Sequence, residues 1–484
     1  MTARREISRQ EFLKISGRAA AGAAAGSTLL LATDSATLAQ GSETVLITDF
    51  GAVGNGVHDD TAAFVAAMNE AYRSGGGRVL VPATGAFYKI TRAIDLKSDL
   101  LHPVHIVGEG NKSFIKNVRT GGHEGVVFRP GKLVAGGKNN PFAGPGQTWH
   151  AIEDAERGAD RVFPKAPAGT FRRGDMIFVA SEERATPGGE RSEMWWPLKP
   201  HIAIVLGVGE RGGLLLSDPL RYNYRNAEVA KFPHGCSHGS VRNLRLEYVT
   251  PGFNAFAGGG NSHMTFRNIN VTKGFGVFGG NGYSNALVEN IRGRPYAKGI
   301  EFAYMSHDTT VRNVDIEPAP QPVTKIRTLF YLAQGCHHFK VEDVRVDHKD
   351  RLPEQLGTVF GHGGIMPGCS DNVLRRYHSY SSRFALGLNI SGPADKPVSN
   401  NRLVDSVVIA KGAHYALRIS SGGGGGHRIR YNRLEAGGTS VVLSSGTNNT
   451  LVANNVVPRG VKDSGQNNTV QNNTVTDTPS TGPR

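Results

Sequence analysis

Ionisable side chains are concentrated in the stretch VDHKDR, residues 346–351 of the 484-residue chain. It contains His348 and Lys349, either of which can be a neutral base near pH 7 where water is excluded. Arg351 can hold a carboxylate through two hydrogen bonds. Further along the chain lie Tyr380, whose hydroxyl group can donate a proton, and Arg383, which carries a second guanidinium group. Together these residue types suit removal of the proton beside a carboxylate, followed by elimination of a neighbouring oxygen.

We therefore expect a catalytic set with three roles. His348 or Lys349 accepts the proton, Arg351 and Arg383 neutralise the substrate carboxylate, and Tyr380 protonates the leaving oxygen.

Other charged or titratable residues in the second half of the chain form the expected substrate-binding set. Its members are Lys273, Arg294, Lys298, Glu317, Asp347 and His378. Glu317 and Asp347 also offer the two carboxylates that a glycoside hydrolase needs, so hydrolysis stays open. Exposed turns are normally polar, and a solvated edge without chemistry is the competing interpretation of these residues. If the catalytic set is misplaced, the coils with Lys273, Arg294 and Lys298 are the next place to look.

The elements that position these residues are repeats that begin near residue 236. Segments such as VRNLRLE, FRNINVT and VENIRGR recur at intervals of about 18 to 33 residues, with alternating apolar positions that predict strands. Stacking of such units about 4.8 Å apart predicts a parallel β-helix. The third residues of the units form a column of stacked side chains, and they are Asn243, Asn268, Asn290, Asn313, Asp343, Arg376, Ser406, Asn432, Asn454 and Asn472.

A second column of small residues precedes the first by six or seven positions in most coils. It comprises Cys236, Ser262, Ser284, Ser306, Cys336, Cys369, Ser399 and Asn448. Parallel stacked side chains seldom present the geometry of a disulfide, so we expect the three cysteines to be unpaired, buried thiols.

The segment DFGAVGNGVHDDTAAFVAAMNEAY, residues 49–72, precedes the repeats. Asp59 or Asp60 is expected to cap a helix over residues 61–72, whose apolar stripe would cover the open end of the solenoid. With the following GGRVLVPATGAFYKI, the segment resembles the entry of the pectate-lyase-like, single-stranded right-handed β-helix superfamily. That superfamily includes polygalacturonases, polysaccharide lyases, alginate epimerases and phage tailspikes. The resemblance implies an all-β chain forming a right-handed parallel β-helix with an N-terminal capping helix.

The chain divides into three segments. Residues 1–39 are expected to be an export signal, because their apolar run is too short to span a membrane and Ala39 suits cleavage. The stretch SRQEFLK resembles a twin-arginine signal, with Gln10 where the second arginine would stand. Residues 40–476 would form the β-helix, with a β-rich insertion at about 147–235, and residues 477–484 a flexible tail. The expected location is periplasmic or extracellular, with no membrane anchor after signal removal.

The formal charge of +14 favours an anionic partner. No nucleic-acid motif is present, so we expect an acidic polysaccharide, and the sequence carries no signal for an oligomeric state. The predicted function is a secreted lyase that cleaves a uronate-containing polysaccharide by β-elimination. A β-helix glycoside hydrolase and a non-catalytic glycan-binding protein are the alternatives. The polygalacturonase branch fits poorly, because the acidic motifs that should precede GHG at 361–363 are missing.

No cofactor is expected from the sequence. Calcium could nevertheless be bound by Asp315, Glu317 and Asp347 if neighbouring coils bring them together.

Overall fold

The computed structural model describes residues 43–121, 125–131, 148–181, 184–185, 196–197, 201–232, 235–249, 254–296, 298–303, 306–317, 328–333, 335–347, 363–365, 368–381, 387–392, 397–422 and 424–476. The expected catalytic residues His348, Lys349, Arg351 and Arg383 lie outside these ranges. The expected signal segment and the expected tail lie outside them as well.

Two long parallel sheets share one hydrophobic core, and successive coils add strands to both of them. The strands of the first sheet are Glu43–Leu46, Gly77–Val81, Tyr88–Ile90, Val104–Asn117, Ser240–Tyr248, Thr265–Gly274, Leu287–Pro295, Thr310–Ile316, Lys340–Asp347, Val373–Ser381, Arg402–Val404, Val407–Ala410, Arg428–Arg430, Arg433–Ala436, Leu451–Ala453 and Thr469–Gln471. Those of the second sheet are Ile94–Leu96, Phe128–Pro130, Cys236–Ser237, Asn254–Ser262, Gly276–Ser284, Lys298–Ala303, Thr328–Leu332, Gly363–Ile365, Leu388–Ser391, Tyr415–Ser420, Thr439–Leu443 and Val461–Asp463. The architecture is the expected parallel β-helix, of about eleven turns.

Each coil bends within the first sheet at a residue with a left-handed backbone. The angle φ lies between 50° and 58° at Asn243, Asn268, Asn290, Asn313, Asp343 and Arg376. Asparagine tolerates this conformation better than most residues, which explains the asparagine column. Asn268 Nδ2 donates to Asn243 Oδ1 at 2.8 Å, and Asn290 Nδ2 donates to Asn268 Oδ1 at 2.9 Å, so the stacking is confirmed. Below, the part of each strand before this bend is the first arm, and the part after it is the second arm.

Two later coils depart from the expected register. Their left-handed residues are Asp405 and Tyr431, whereas the sequence analysis placed Ser406 and Asn432 in this column. Ser406 and Asn432 are buried one position further along, and Ser406 N donates to Asn432 Oδ1 at 2.9 Å. Asparagine satisfies backbone groups at both positions, so the motif alone did not separate the corner from the interior.

The expected small-residue column is also shifted. Cys236 is the strand partner of Asn261, while Ser262 is paired with Ser284 in the adjacent column. All three cysteines are buried and form no disulfide, as expected. Burial raises the pKa of the Cys236 thiol to about 12, so it is protonated at neutral pH.

Helix α1, Thr61–Arg73, covers the N-terminal end of the coils. Its apolar stripe, which includes Phe64 and Met68, belongs to the same core as the sheets. Asp59 Oδ1 accepts a hydrogen bond from Thr61 N at 3.1 Å, which caps the first turn. Asp60 instead is buried and accepts from Val53 N in the glycine-rich turn at 2.7 Å. The expected capping helix is therefore present.

Two short 3₁₀ helices occupy Ile47–Phe50 and Glu210–Gly212.

A β-rich insertion interrupts the coils. Its antiparallel sheet contains His150–Ala151, Arg161–Val162, Met176–Ser181, His201–Val208, Leu214–Leu216 and Ala227–Lys231, and Arg184–Ala185 pairs separately with Trp196–Pro197. The insertion docks on the β-helix where Ile202 N donates to His307 Nε2 at 2.8 Å. Arg221 reinforces this contact through an ion pair with Asp308 at 2.8 Å. Within the described residues, no helix has the length and apolar character needed to cross a membrane.

Candidate functional site

Polar residues form a compact array on the second arms of two neighbouring coils. Arg345 is the strand partner of His378, and two residues further along, Asp347 is the partner of Tyr380. Neighbouring strands lie about 4.8 Å apart, so the four side chains occupy the corners of a small rectangle. Arg345 Nη2 lies 3.5 Å from Asp347 Oδ2. We call Arg345, Asp347, His378 and Tyr380 the four-residue array; three of its members were in the expected set, and Arg345 was not.

The array is shielded from solvent. Asp347 is fully buried, and His378 and Tyr380 are 5% and 4% exposed. Burial lowers the pKa of His378 to about 4, with Arg345 and Arg376 acting in the same direction. The imidazole is therefore neutral at pH 7 and can accept a proton. An uncharged base, a guanidinium group and a hydroxyl group thus lie within one site.

Two further carboxylates come from the preceding coil. Arg345 lies 3.6 Å from Asp315 Oδ2 and 3.9 Å from Glu317 Oε1. Burial raises the pKa of Asp315, Arg345 opposes this effect, and the negative charge of Glu317 adds to it. A carboxyl group with a raised pKa close to a second carboxyl group is the arrangement that supplies a general acid in glycosidases.

The same three carboxylates do not fit the calcium site that the sequence suggested. Asp315, Glu317 and Asp347 each lie within 3.5 to 3.9 Å of the Arg345 guanidinium group, which supplies the positive charge among them. In the part of the chain that the structure describes, no group of three or more histidine, cysteine, aspartate or glutamate side chains is placed to bind a metal ion.

The remaining expected binding residues are dispersed. Arg294 is 64% exposed and lies 3.9 Å from Glu317 Oε2, at the edge of the carboxylate group. Lys273 is exposed and is the strand partner of Glu247, further toward the N-terminus. Lys298 belongs to the second sheet, where its Nζ lies 2.6 Å from Glu301 Oε2. Only Arg294 is therefore close to the array and its carboxylates.

The expected catalytic residues outside the described ranges follow the array directly in sequence. His348, Lys349 and Arg351 come just after Asp347, and Arg383 comes three residues after Tyr380. Their assignment stays a prediction.

A line of polar residues on the second sheet was missed by the sequence analysis. Its polar members are Glu301, Tyr331, Asn389 and Arg418. They are successive strand partners, with Gly364 between Tyr331 and Asn389. Their described side chains are partly or fully exposed, whereas the next residues along the strands belong to the core. The Tyr415 hydroxyl donates to Asn389 Oδ1 at 3.1 Å. The sequence signal for this line is one polar residue between apolar ones in GIEFA, TLFYL, GLNIS and ALRIS, which lie away from the positions just after the asparagine column.

Comparisons with known proteins give partial sequence matches. No protein-family model matches the chain. The mannuronan C5-epimerase AlgE2 of Azotobacter vinelandii is 36% identical over 134 residues, which cover 24% of this chain and 13% of that protein. AlgE1, a mannuronan C5-epimerase of the same organism, is 44% identical over 69 residues, covering 13% of this chain and 5% of that protein. The chain thus matches only a small part of these relatives' length.

A solved structure gives the match in fold. The tailspike gp61 of Pseudomonas phage phi297 superposes with a TM-score of 0.59 and 14% sequence identity, over 89% of this chain and 73% of the tailspike. This likeness shows the fold, and the expected right-handed parallel β-helix is confirmed.

Proposed function

We infer from the right-handed β-helix fold, which the chain shares with the pectate-lyase-like superfamily, that it is an enzyme acting on an acidic polysaccharide. The relatives with partial sequence matches are named as mannuronan C5-epimerases, so a uronate polymer is the substrate class we propose. The proposed reaction is β-eliminative cleavage of that polymer. It begins with removal of the C5 proton, a step that a uronate C5 epimerisation also requires.

The four-residue array is the observation that carries this proposal. Neutral His378 accepts the C5 proton, while Arg345 stabilises the negative charge that develops on the uronate carboxylate. The C4–O bond then breaks, a C4–C5 double bond forms, and the Tyr380 hydroxyl gives a proton to the leaving oxygen. Asp347 positions Arg345. A bound carboxylate near His378 raises its pKa from about 4 and so makes it a stronger base in the complex.

Residues that follow the array in sequence extend the same proposal. Arg351 and Arg383 would add guanidinium groups for the substrate carboxylate, and His348 or Lys349 would be the alternative proton acceptor.

The test is incubation with mannuronan, polygalacturonate and other uronate polymers in heavy water. A lyase raises both ultraviolet absorbance, through the new double bond, and reducing ends. A hydrolase raises only reducing ends, and an epimerase incorporates deuterium at C5 without chain cleavage. Binding without any product would favour a glycan-binding protein and overturn the enzyme assignment.

Variants locate the chemistry within the molecule. Alanine at His378, Arg345 or Tyr380 should lower turnover by roughly two orders of magnitude, as loss of an acid–base group does. His414→Ala, at an exposed position, is the matched control and should leave turnover unchanged. Full activity in the array variants, together with loss in Tyr331→Phe, would move the active centre to the second sheet.

Hydrolysis is the second candidate, and the raised pKa of Asp315 favours it. In that case Asp315 protonates the glycosidic oxygen, and Glu317 or Asp347 acts as base or nucleophile. Reducing ends without an unsaturated product, lost in Asp315→Asn, would establish this reaction in place of elimination.

The proposed location is outside the cytoplasm, following from the expected export signal. The high positive charge suits a protein that meets acidic polysaccharides there.

A further inference from the structure

Three arginines cluster on the first arms of two C-terminal coils. Arg402 and Arg428 are strand partners, and Arg430 lies two residues beyond Arg428 on the same arm. Arg402 and Arg428 are exposed, and Arg430 is partly exposed. Neighbouring strands lie about 4.8 Å apart, so two like charges stand directly beside each other. We call Arg402, Arg428, Arg430 and the adjacent Tyr431 the basic patch.

No carboxylate of the described residues neutralises these three guanidinium groups. Their strand partners on the outer sides are Val373, Leu451 and Ala453. Arg430 Nε is buried and has no hydrogen-bond acceptor among the described residues. Like charges beside each other on neighbouring strands are destabilising, so the folded chain alone gains nothing from this arrangement.

The same face is built differently further toward the N-terminus. There Arg267 and Arg312 both contact Glu289, at 2.5 Å each. Arg375, one coil before the patch, lies 3.3 Å from Asp405. The fold therefore accommodates acidic partners on this face. Asp405, on the same coil as Arg402, pairs with Arg375 of the preceding coil, and no ion pair joins a described carboxylate to Arg402, Arg428 or Arg430.

Tyr431 adds an independent signal. It lies in the left-handed column with φ of 59°, where most other coils have asparagine or aspartate, and it is 58% exposed. A bulky aromatic residue is strained in this conformation, and strain of this kind concentrates at functional positions. Its ring is exposed to solvent, and Arg430 precedes it in sequence. An exposed aromatic ring of this kind can pack against a sugar ring.

We propose that the basic patch is an accessory binding surface for a strand of carboxylate-bearing polysaccharide. Each guanidinium group can hold one carboxylate through two hydrogen bonds, and successive coils present them along a line. The Tyr431 ring packs against a sugar face. The identity of the polymer rests on the proposed function, whereas the presence of an anion-binding surface does not.

A nucleic-acid strand would meet the same charges. Surfaces that bind single strands stack successive bases on several aromatic side chains, and the patch offers one. The chemistry therefore favours the polysaccharide, and the nucleic acid becomes an outcome of the test.

The position of the patch determines its effect. It lies on first arms, while the four-residue array lies on second arms beyond the left-handed bend. A long polymer can contact both surfaces, and we expect a short oligosaccharide held at the array to contact the array alone. The patch should therefore strengthen binding of long chains and leave reaction of short ones unchanged.

The experiment compares the unmodified protein with a triple variant, Arg402→Ala, Arg428→Ala and Arg430→Ala. Binding of long-chain mannuronan is measured by affinity electrophoresis, without need for turnover. We expect at least tenfold weaker binding of the polymer and turnover of short oligouronates within twofold. Tyr431→Asn, which introduces the usual residue of the column, should weaken polymer binding severalfold and raise thermal stability.

The matched control removes the same charge elsewhere, through Arg73→Ala, Arg92→Ala and Arg173→Ala, all at exposed positions. It should bind the polymer within twofold of the unmodified protein. Arg402→Glu alone, a surface change that leaves the core untouched, should reproduce most of the loss if the triple variant fails to fold.

Three results would overturn the proposal. They are absence of polymer binding by the unmodified protein, unchanged binding in the triple variant or in Arg402→Glu, and equal or tighter binding of a single-stranded DNA oligomer that the triple variant loses. Polymer binding that depends on the patch, without any product, would refute only the enzyme assignment.

Discussion

Replacement of His427 by asparagine should remove a measurable part of the acid sensitivity of the β-helix. His427 is fully buried and continues a ladder in which Asn372 N donates to Asn401 Oδ1 at 3.1 Å. At the next step Asn401 N donates to His427 Nδ1 at 3.2 Å, and Nε2 lies 3.2 Å from Ser421 Oγ. Nδ1 must therefore be an acceptor. If Nδ1 were protonated, its N–H would face the backbone N–H of Asn401, and this hydrogen bond would be lost.

The magnitude follows from the pKa. Burial lowers the pKa of His427 to about 4, although hydrogen bonds to backbone groups oppose the shift. Since the unfolded value is about 6.5, the unfolded chain binds the proton first as the pH falls. Stability that is fully present above about pH 6.5 is lost on the way down to about pH 4. At about pH 4.5 the loss from this residue is about 2.5 kcal/mol.

The assay is urea unfolding of the unmodified protein and of His427→Asn at about pH 7.5 and about pH 4.5. The difference in unfolding free energy between the two pH values should be smaller in the variant by about 2.5 kcal/mol. His414→Asn, at an exposed position, is the control and should leave that difference unchanged. An unaltered pH difference in His427→Asn would refute the assignment of Nδ1 as a buried acceptor.

Four other expectations can be checked directly. Asn290→Ala should destabilise the β-helix by about 1 to 2 kcal/mol, measured by urea unfolding, because it loses a ladder hydrogen bond and strains a left-handed position, and Asn290→Gly should lose less. Tyr380→Phe should lower turnover of uronate polymer while leaving the folded state intact, as circular dichroism would report, and unchanged turnover would remove Tyr380 as the acid. Alkylation after unfolding without reductant should modify all three cysteines, and protection of two of them would reveal a disulfide. Mass spectrometry of the protein from its host should find a mature N-terminus after Ala39, and an intact N-terminus in the cytosol would contradict export.

The architecture could be predicted from the sequence because its main determinants are local. A left-handed corner admits few residue types, so Asn243, Asn268 and Asn290 recur once per coil and mark the repeat. The capping helix carried its own signals, an acidic cap at Asp59 and a regular apolar stripe. That the cysteines form no disulfide followed from the geometry of parallel stacking.

Register in the later coils was decided only by the folded structure. Asparagine satisfies backbone groups both at the corner and in the interior, so the pattern could not distinguish Asp405 from Ser406, or Tyr431 from Asn432. The basic patch became visible only once Tyr431 was placed at the corner. Likewise, because the coils differ in length, the sequence pattern alone does not show which residues of the second sheet share a face.

The candidate site shows the same division. Sequence alone identified Asp347, His378 and Tyr380 as residues able to do chemistry, and Asp347 and Tyr380 each follow a marked corner by four residues. The addition of Arg345, and its contact with carboxylates from two coils, required the pairing of strands that are distant in sequence. Residue types and spacing determine the repeat, but only the stacking of coils decides which side chains meet, because contacts between coils depend on loop lengths that no local pattern fixes.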